Sequence, residues 1–350
     1  METQTHRRQR ISKAARLITV TVVAVVALGI GAGFAFARGS TPTIGTGVVV
    51  VNTKLGYQAG AAAGSGIVLT SSGEVLTNNH VIQGETSVQV VVPVTTHTYS
   101  GTVVGYDVSA DVAIIQLHGA ANLKTVSLSD SSKVTAGQAV RALGNAGGAG
   151  TLTSATGTVT GTGKSITVSN DQGGTEPLVG MIETNAALQP GDSGGPLLNS
   201  RGKVIGMDTA ASTSFGFRAV AASDSYAIPI NTATTIAKQI ESGKATAAVH
   251  VGSTAFLGVQ VSSTLGNGPA APTSAGANIA GTVAGGPGAS AGLTAGDVIT
   301  AINGQTVSSP SRITSLILTK KPGAKITVAY TDQSGTSQVT TVTLGSGPPQ

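Results

Sequence analysis

Three short segments of this chain carry side chains that together suit acyl transfer. Thr77-Asn78-Asn79-His80-Val81-Ile82 sets an imidazole at the end of an apolar strand. Ser109-Ala110-Asp111 opens a second apolar strand, Val112 to Leu117, with a carboxylate. Gly191-Asp192-Ser193-Gly194-Gly195-Pro196 sets a hydroxyl in a glycine-rich turn before Leu197-Leu198. A serine hydroxyl is a poor nucleophile until an adjacent base takes its proton. An imidazole serves as that base when a partly buried carboxylate fixes its tautomer and stabilises the imidazolium. The glycines around Ser193 let the backbone turn so that the N–H groups of Gly191 and Ser193 face a tetrahedral oxyanion. One such donor is worth about 3 kcal/mol in the transition state. His80, Asp111 and Ser193 are thus the expected base, orienting acid and nucleophile. Asp107 follows Gly105-Tyr106 and reads as a turn residue, while His6, His97, His118 and His250 have no comparable context.

These residues must be held by short strands. Gly66 to Thr70 and Glu74 to Thr77 flank Ser71-Ser72-Gly73 as a hairpin, and β-branched runs follow at 87–94, 99–106, 112–117 and 139–143. Thr151 to Val168 alternates small polar residues with Val and Ile, and strands resume at 179–184, 195–198, 204–209 and 225–230. So many short strands predict β-barrels or sandwiches. One helix is expected over Thr232 to Ser242, capped by Asn231 and ended by Gly243. From about Gly252 a second unit begins. It holds a Gly/Ala/Pro-rich loop, Leu265 to Gly276, and a strand running into the hairpin turn Asn303-Gly304. A helix should start at Pro310 with Ser309 as its cap. Gly144 to Gly150 reads as a surface loop. Gly161-Thr-Gly-Lys-Ser165 is no phosphate loop, because Thr158 stands where the pattern needs glycine.

Composition narrows the function classes. Gly accounts for 49 of 350 residues and charged residues for 10%, against an ordinary charged share of about 25%. The 40% apolar content still permits a core, built from Val, Ile, Leu and Ala because only five Phe, five Tyr and no Trp are present. With no Cys, disulfides, thiolate metal sites and a Cys nucleophile are excluded. The net charge of +5 sits mostly in the first 37 residues, where Arg7, Arg8, Arg10, Lys13 and Arg16 face only Glu2. The rest of the chain has neither the cation cluster nor the aromatics that nucleic-acid binding needs.

The basic head points to a membrane instead. Residues 17–37 carry no charge and as a helix would span about 32 Å, enough for a bilayer core. The preceding cations keep the N-terminus in the cytoplasm and send the rest across. A cleaved signal peptide, with Ala35-Phe36-Ala37 as its cleavage site, is the alternative. Either way the functional part is extracytoplasmic.

In chain order, the segments T-N-N-H-V-I, D-V-A-I-I-Q-L, A-L-G-N (Ala142 to Asn145) and G-D-S-G-G-P resemble those of HtrA-like serine proteases, a trypsin-like, PDZ-containing branch. The resemblance spans about Val49 to Ile240. It implies two six-stranded antiparallel β-barrels, with His80 and Asp111 on the first and Ser193 on the second. It also implies a primary specificity pocket floored by Ala187 and walled by Met207, Asp208 and Thr209. No acid occupies that floor, so cleavage after small or medium aliphatic residues is expected. Asp192 departs from the Asn common in this branch, and no activation site supplies it with a new N-terminus, which leaves its partner open.

The C-terminal unit resembles a bacterial-protease PDZ domain through Phe256-Leu-Gly-Val259, Pro287 to Leu293 and Ala295 to Gly304. The resemblance implies that the N–H groups of Leu257 and Gly258 take a peptide's C-terminal carboxylate while an edge strand near Val259 pairs with the peptide. The expected layout is a basic head over 1–16, an anchor or signal over 17–37, a linker over 38–48, a protease domain over 49–245 and a PDZ domain over 252–346. The implied function is a serine endopeptidase acting on envelope or misfolded proteins, needing no cofactor or metal and compatible with a homo-oligomer. The alternative is a chaperone-like peptide-binding surface protein on an inactive protease fold.

Overall fold

Val48-Val49-Val50-Val51 opens the first strand, Val48–Leu55 (β1), and all four valines are buried. A run of β-branched residues buried on both faces belongs at the centre of a sheet. Accordingly, β1 lies between Gly60–Val68 (β2) and Ser87–Val92 (β4). The computed structural model describes residues 45–57, 60–169, 175–209, 225–262 and 276–350. The helix expected over 17–37, most of the linker and most of the 265–276 loop lie outside the described residues. Among the described residues, no helix is long and apolar enough to cross a membrane.

Glu74–Thr77 (β3), His97–Asp107 (β5) and Val112–Leu117 (β6) complete the first sheet, in the order β5-β4-β1-β2-β3-β6. The last strand pairs back onto β5, closing a ring of six. Strand alternation then divides the side chains between two cores. Val68, Val75, Ala113 and Ile115 fill the ring with Val49, Val90 and Tyr106. Their neighbours Ile67, Leu76, Val112 and Ile114 turn outward and pack with Met207, Ile228 and Ile230 of the second half.

The second half is a closed barrel of Ala139–Gly144 (β7), Thr153–Ser169 (β8), Thr175–Thr184 (β9), Pro196–Asn199 (β10), Val204–Thr209 (β11) and Ser225–Pro229 (β12). Val140, Ala142, Val159, Ile182, Leu197, Ile205 and Ala227 form its core. A one-turn helix, Asn79–Ile82 (α1), follows β3, so His80 stands on a helix rather than on the strand end itself. The longer helix Ile230–Glu241 (α2) buries Ile230, Ala233, Ala237 and Ile240 along one face. It starts two residues before the expected Thr232, with Pro229 at the cap. Asn231 therefore does not cap it. Its side chain accepts from the Ser131 N–H at 3.3 Å and donates to Asp130 at 2.8 Å, tying the helix to the loop before β7. Val249–Val251 (β13) then returns to pair with β5.

The C-terminal sheet runs in the order Val259–Ser262, Ala277–Thr282, Val298–Ile302, Lys325–Thr331, Ser337–Thr343. Asn303 and Gly304 both take positive φ between the paired residues Ile302 and Gln305, the primed two-residue turn that this dipeptide favours. The helix Pro310–Leu318 packs Ile313, Leu316 and Ile317 against Leu257, Ile279, Ile299 and Val328. Ser309 occupies its cap position, but its hydroxyl meets that of Ser311 instead of a backbone N–H. The segment Gly345–Gly347 pairs with Thr254–Phe256, and the chain then crosses to the first barrel. There Pro349 O accepts the Gly84 N–H at 2.8 Å, and Asn79 donates to Gln350 O at 3.1 Å.

Candidate active site

His80 and Asp111 meet at the end of the first barrel. The imidazole Nδ1 lies 2.9 Å from Oδ2 and 3.1 Å from Oδ1 of Asp111, and the His80 backbone N–H donates to Oδ1 at 3.0 Å. Because a carboxylate accepts, Nδ1 carries the proton, which makes Nε2 the ring nitrogen able to act as a base. Asp111 is held from three further directions. The Thr209 hydroxyl donates to Oδ2 at 3.1 Å, Asn78 Nδ2 donates to the Asp111 carbonyl at 3.0 Å, and the Asp111 N–H closes a turn on Val108 O. Its φ of +54° is left-handed, a conformation costing a non-glycine residue on the order of 1–3 kcal/mol. Asp107 accepts from Ser109 Oγ and the Ala110 N–H, the work of a turn residue.

Ser193 lies in the turn between β9 and β10. Its carbonyl accepts the N–H of Ser65 on β2 at 2.8 Å, so the Ser193 turn of one barrel is bonded to a strand of the other. Behind it, the Gly194 N–H donates to Asp208 O at 2.9 Å and the Asp208 N–H donates to Gly195 O at 2.7 Å. Gly191 and Gly194 have φ of +98° and +85°. A Cβ at Gly191 would fall on Asn145 O, and one at Gly194 on Ser65 O, so backbone takes the space a side chain would need.

The carbonyls of this turn are each held. Pro190 O accepts the Gly147 N–H at 2.7 Å, Gly191 O accepts the Ser65 hydroxyl at 2.8 Å, and Asp192 O accepts the Gly195 N–H at 2.9 Å. In a trans peptide the N–H points opposite to the carbonyl of the same unit. The bonds to Pro190 O and Asp192 O therefore set the directions of the Gly191 and Ser193 N–H groups. The loop after β7, read from sequence as surface, supplies Gly147 to this arrangement while remaining exposed. Ser65, Asn145 and Gly147 were not among the expected site residues. Nothing local to Ser65 or Gly147 marks either, since their partners are distant in sequence.

Asp192 finds a backbone partner: its Oδ2 accepts the Gln189 N–H at 2.8 Å. Burial raises its pKa, and the Gln189 bond opposes that rise. Asp208 is fully buried with neither carboxylate oxygen hydrogen-bonded. Burial first, and the Asp192 carboxylate second, push it well above the ordinary carboxylate range. Of the residues expected around a specificity pocket, Ala187 is exposed and Met207 is packed in the core between the barrels. Asp208 pairs across the sheet with Ala227 of the barrel core, and Thr209 bonds Asp111.

In the C-terminal unit Leu257 and Gly258 are buried at the start of the edge strand Val259–Ser262. Leu257 O accepts the Gly288 N–H at 2.8 Å and Gly258 O accepts the Val283 N–H at 3.0 Å. A groove beside them is lined by Phe256, Val259, Val261, Ile313 and Ile317, together with Tyr57 of the first barrel. Tyr57 stacks on Phe256 at 5.2 Å.

Comparison with known proteins agrees with this architecture. The trypsin-like peptidase domain family matches residues 64–207, and the PDZ domain family matches residues 255–343. The chain is 36% identical over 312 residues to "Serine protease PepD" of Mycobacterium tuberculosis, covering 85% of this chain and 63% of that protein. It is 36% identical over 270 residues to "Probable periplasmic serine protease do/HhoA-like" of Haemophilus influenzae, covering 76% and 55%. It thus spans less than two thirds of the length of these curated relatives. A solved structure, "HtrA-type protease AlgW with tripeptide", aligns at 29% identity and TM-score 0.49, covering 87% of this chain and 95% of that chain. With both domain families matched in this order and serine proteases among its relatives, the chain carries a trypsin-like peptidase domain followed by a PDZ domain and is similar in this to HtrA-type proteases.

Proposed function

We propose that this chain is an extracytoplasmic serine endopeptidase that cleaves envelope or misfolded proteins. The observation that carries the reading is the His80–Asp111 pair, braced by Thr209, at the junction with the Gly191–Gly195 turn that bears Ser193. In this reading Ser193 Oγ attacks the substrate carbonyl carbon and gives its proton to His80 Nε2. The oxyanion forms against the N–H groups of Gly191 and Ser193. His80 then returns the proton to the leaving amine, and water repeats the sequence on the acyl-enzyme. The family match and the names of the relatives support this chemistry, and the relatives described as periplasmic support the compartment.

The finer parts belong to the same proposal. Residues 49–245 form the protease domain and 252–346 the PDZ domain, whose Leu257 and Gly258 N–H groups receive a peptide's C-terminal carboxylate. Residues 17–37 anchor the chain in the membrane or are removed as a signal. The primary pocket over Ala187 takes aliphatic side chains. The deciding experiment is labelling with a fluorophosphonate probe, followed by mass mapping. Modification of Ser193, lost together with peptide hydrolysis in Ser193→Ala, supports the reading. Hydrolysis by Ser193→Ala above a few per cent of the parent, in protein free of host proteases, overturns it.

A further inference from the structure

Ser65 sits in β2, fully buried, between Gly64 and Gly66. Its hydroxyl bridges two loops of the other barrel. It accepts the Asn145 N–H at 2.9 Å and donates to Gly191 O at 2.8 Å. The directions are unambiguous, because an amide N–H only donates, a carbonyl only accepts, and a hydroxyl has one hydrogen to give. The backbone of the same residue is engaged as well. Its N–H donates to Ser193 O at 2.8 Å, and its carbonyl accepts the Thr77 hydroxyl at 2.7 Å. One residue of the first barrel thus touches both ends of the Gly191–Ser193 segment.

From this geometry we propose that Ser65 is a positioning residue for the oxyanion site, acting through the Gly191–Asp192 peptide. The inference rests on the reading of Ser193 as nucleophile and of Gly191 and Ser193 as oxyanion donors. Gly191 at φ +98° has access to more backbone conformations than any other residue type, so its own preferences do not hold the turn. The bonds from Gly147 and Gly195 fix the flanking peptide planes, and the one between them is held at both ends, by the Ser65 hydroxyl on Gly191 O and by the Asp192 N–H donating to Gln189 O at 3.0 Å. Without it, Gly191 O and the Asn145 N–H lose a buried partner. The middle peptide then keeps only its Asp192 N–H bond to Gln189 O and can tilt about it, carrying the donors off their line. Such a loss acts where charge develops, in the transition state, and not on ground-state binding of the peptide.

The test is Ser65→Ala in the full chain, with steady-state kinetics on a peptide substrate. A kcat reduced about 30-fold or more, with KM within about twofold, is expected for a misaligned oxyanion donor. A peptide boronic acid, whose tetrahedral adduct places an oxygen in the site, should bind weaker by a similar factor, while a non-covalent peptide amide keeps its affinity. Ser65→Cys preserves the side-chain volume with a weak hydrogen-bonding group. It should behave like Ser65→Ala, and it carries the same test if the alanine variant does not fold. Retention of more than half the parental kcat in either variant overturns the proposal. So does a change confined to KM, or an unchanged boronate affinity. Slow but complete fluorophosphonate labelling of Ser193 in Ser65→Ala leaves the nucleophile reading standing whichever way the kinetics fall. Activity in Ser193→Ala would instead remove that underlying reading.

Discussion

The Thr209 hydroxyl of the second barrel donates to Oδ2 of Asp111 on the first, the same oxygen that receives His80 Nδ1. The bond spans 98 residues of sequence and joins the two barrels behind the candidate base. Asp111 is held in a left-handed conformation, so its carboxylate depends on such contacts to stay aimed.

Thr209→Val removes this donor while keeping the side-chain shape. We expect kcat/KM to fall about tenfold, the size of one lost hydrogen bond to a charged group. Asp111→Asn should be far more severe, about 10³–10⁴-fold, because it favours the wrong imidazole tautomer. Peptide hydrolysis by the two variants and the parent checks the order. Equal activity of Thr209→Val and the parent would remove Thr209 from the site.

Two acids, the half-buried Glu85 and the fully buried Asp208, should make stability depend on pH. Burial raises the Glu85 pKa from 4.5 to about 7. Because the folded value exceeds the free one, the unfolded chain releases this proton first. Stability is full below about pH 4.5, falls as pH rises and levels off above about pH 7. Asp208, raised well above 3.8, acts in the same direction, its loss continuing up to its own folded pKa. Glu85→Gln and Asp208→Asn should each raise Tm relative to the parent, more at pH 8 than at pH 5. Melting curves at the two pH values read this, and a constant Tm difference would contradict it.

Cleavage should follow small or medium aliphatic residues such as Val, Ala, Ile or Leu. A Lys ammonium placed over Ala187 would lose hydration without a partner, which is strongly unfavourable. An aliphatic side chain gains about 0.8 kcal/mol per buried methylene. Asp208 lies buried among barrel-core residues, and that burial raises its pKa and so disfavours the charged form as a counter-charge. An unbiased peptide library provides the measurement. Dominant cleavage after Lys or Arg would refute the prediction.

The groove beside Val259–Ser262 should bind peptides through a free C-terminus. Leu257 O and Gly258 O are both bonded inward, which turns the N–H groups of Gly258 and Val259 the other way. Amidation of a binding peptide should therefore weaken it by about tenfold or more, the loss of a charge-assisted hydrogen bond. Calorimetry with the acid and the amide decides. Equal affinities would rule out carboxylate recognition by the backbone N–H groups of the 257–259 segment.

What the sequence by itself determined is local. The residue types for acyl transfer, the apolar alternation of 112–117 and the turn at Asn303-Gly304 are written in consecutive positions, because period-two burial and positive φ are properties of short segments. The tertiary structure decided whatever depends on residues far apart. Asn231 looked like a helix cap, but contact with Asp130 and Ser131, a hundred residues away, turned it into a tie. His80 moved from a strand end onto a turn of helix, where its N–H reaches Asp111. The Gly144 to Gly150 loop acquired a task through Pro190, and Asp192 found its partner in the Gln189 N–H rather than in a cation. Ser65 is the clearest case. A serine between two glycines on a strand has no local signature, and its hydroxyl gains a role only because closing two barrels against each other brings Asn145 and Gly191 to it, 80 and 126 residues away.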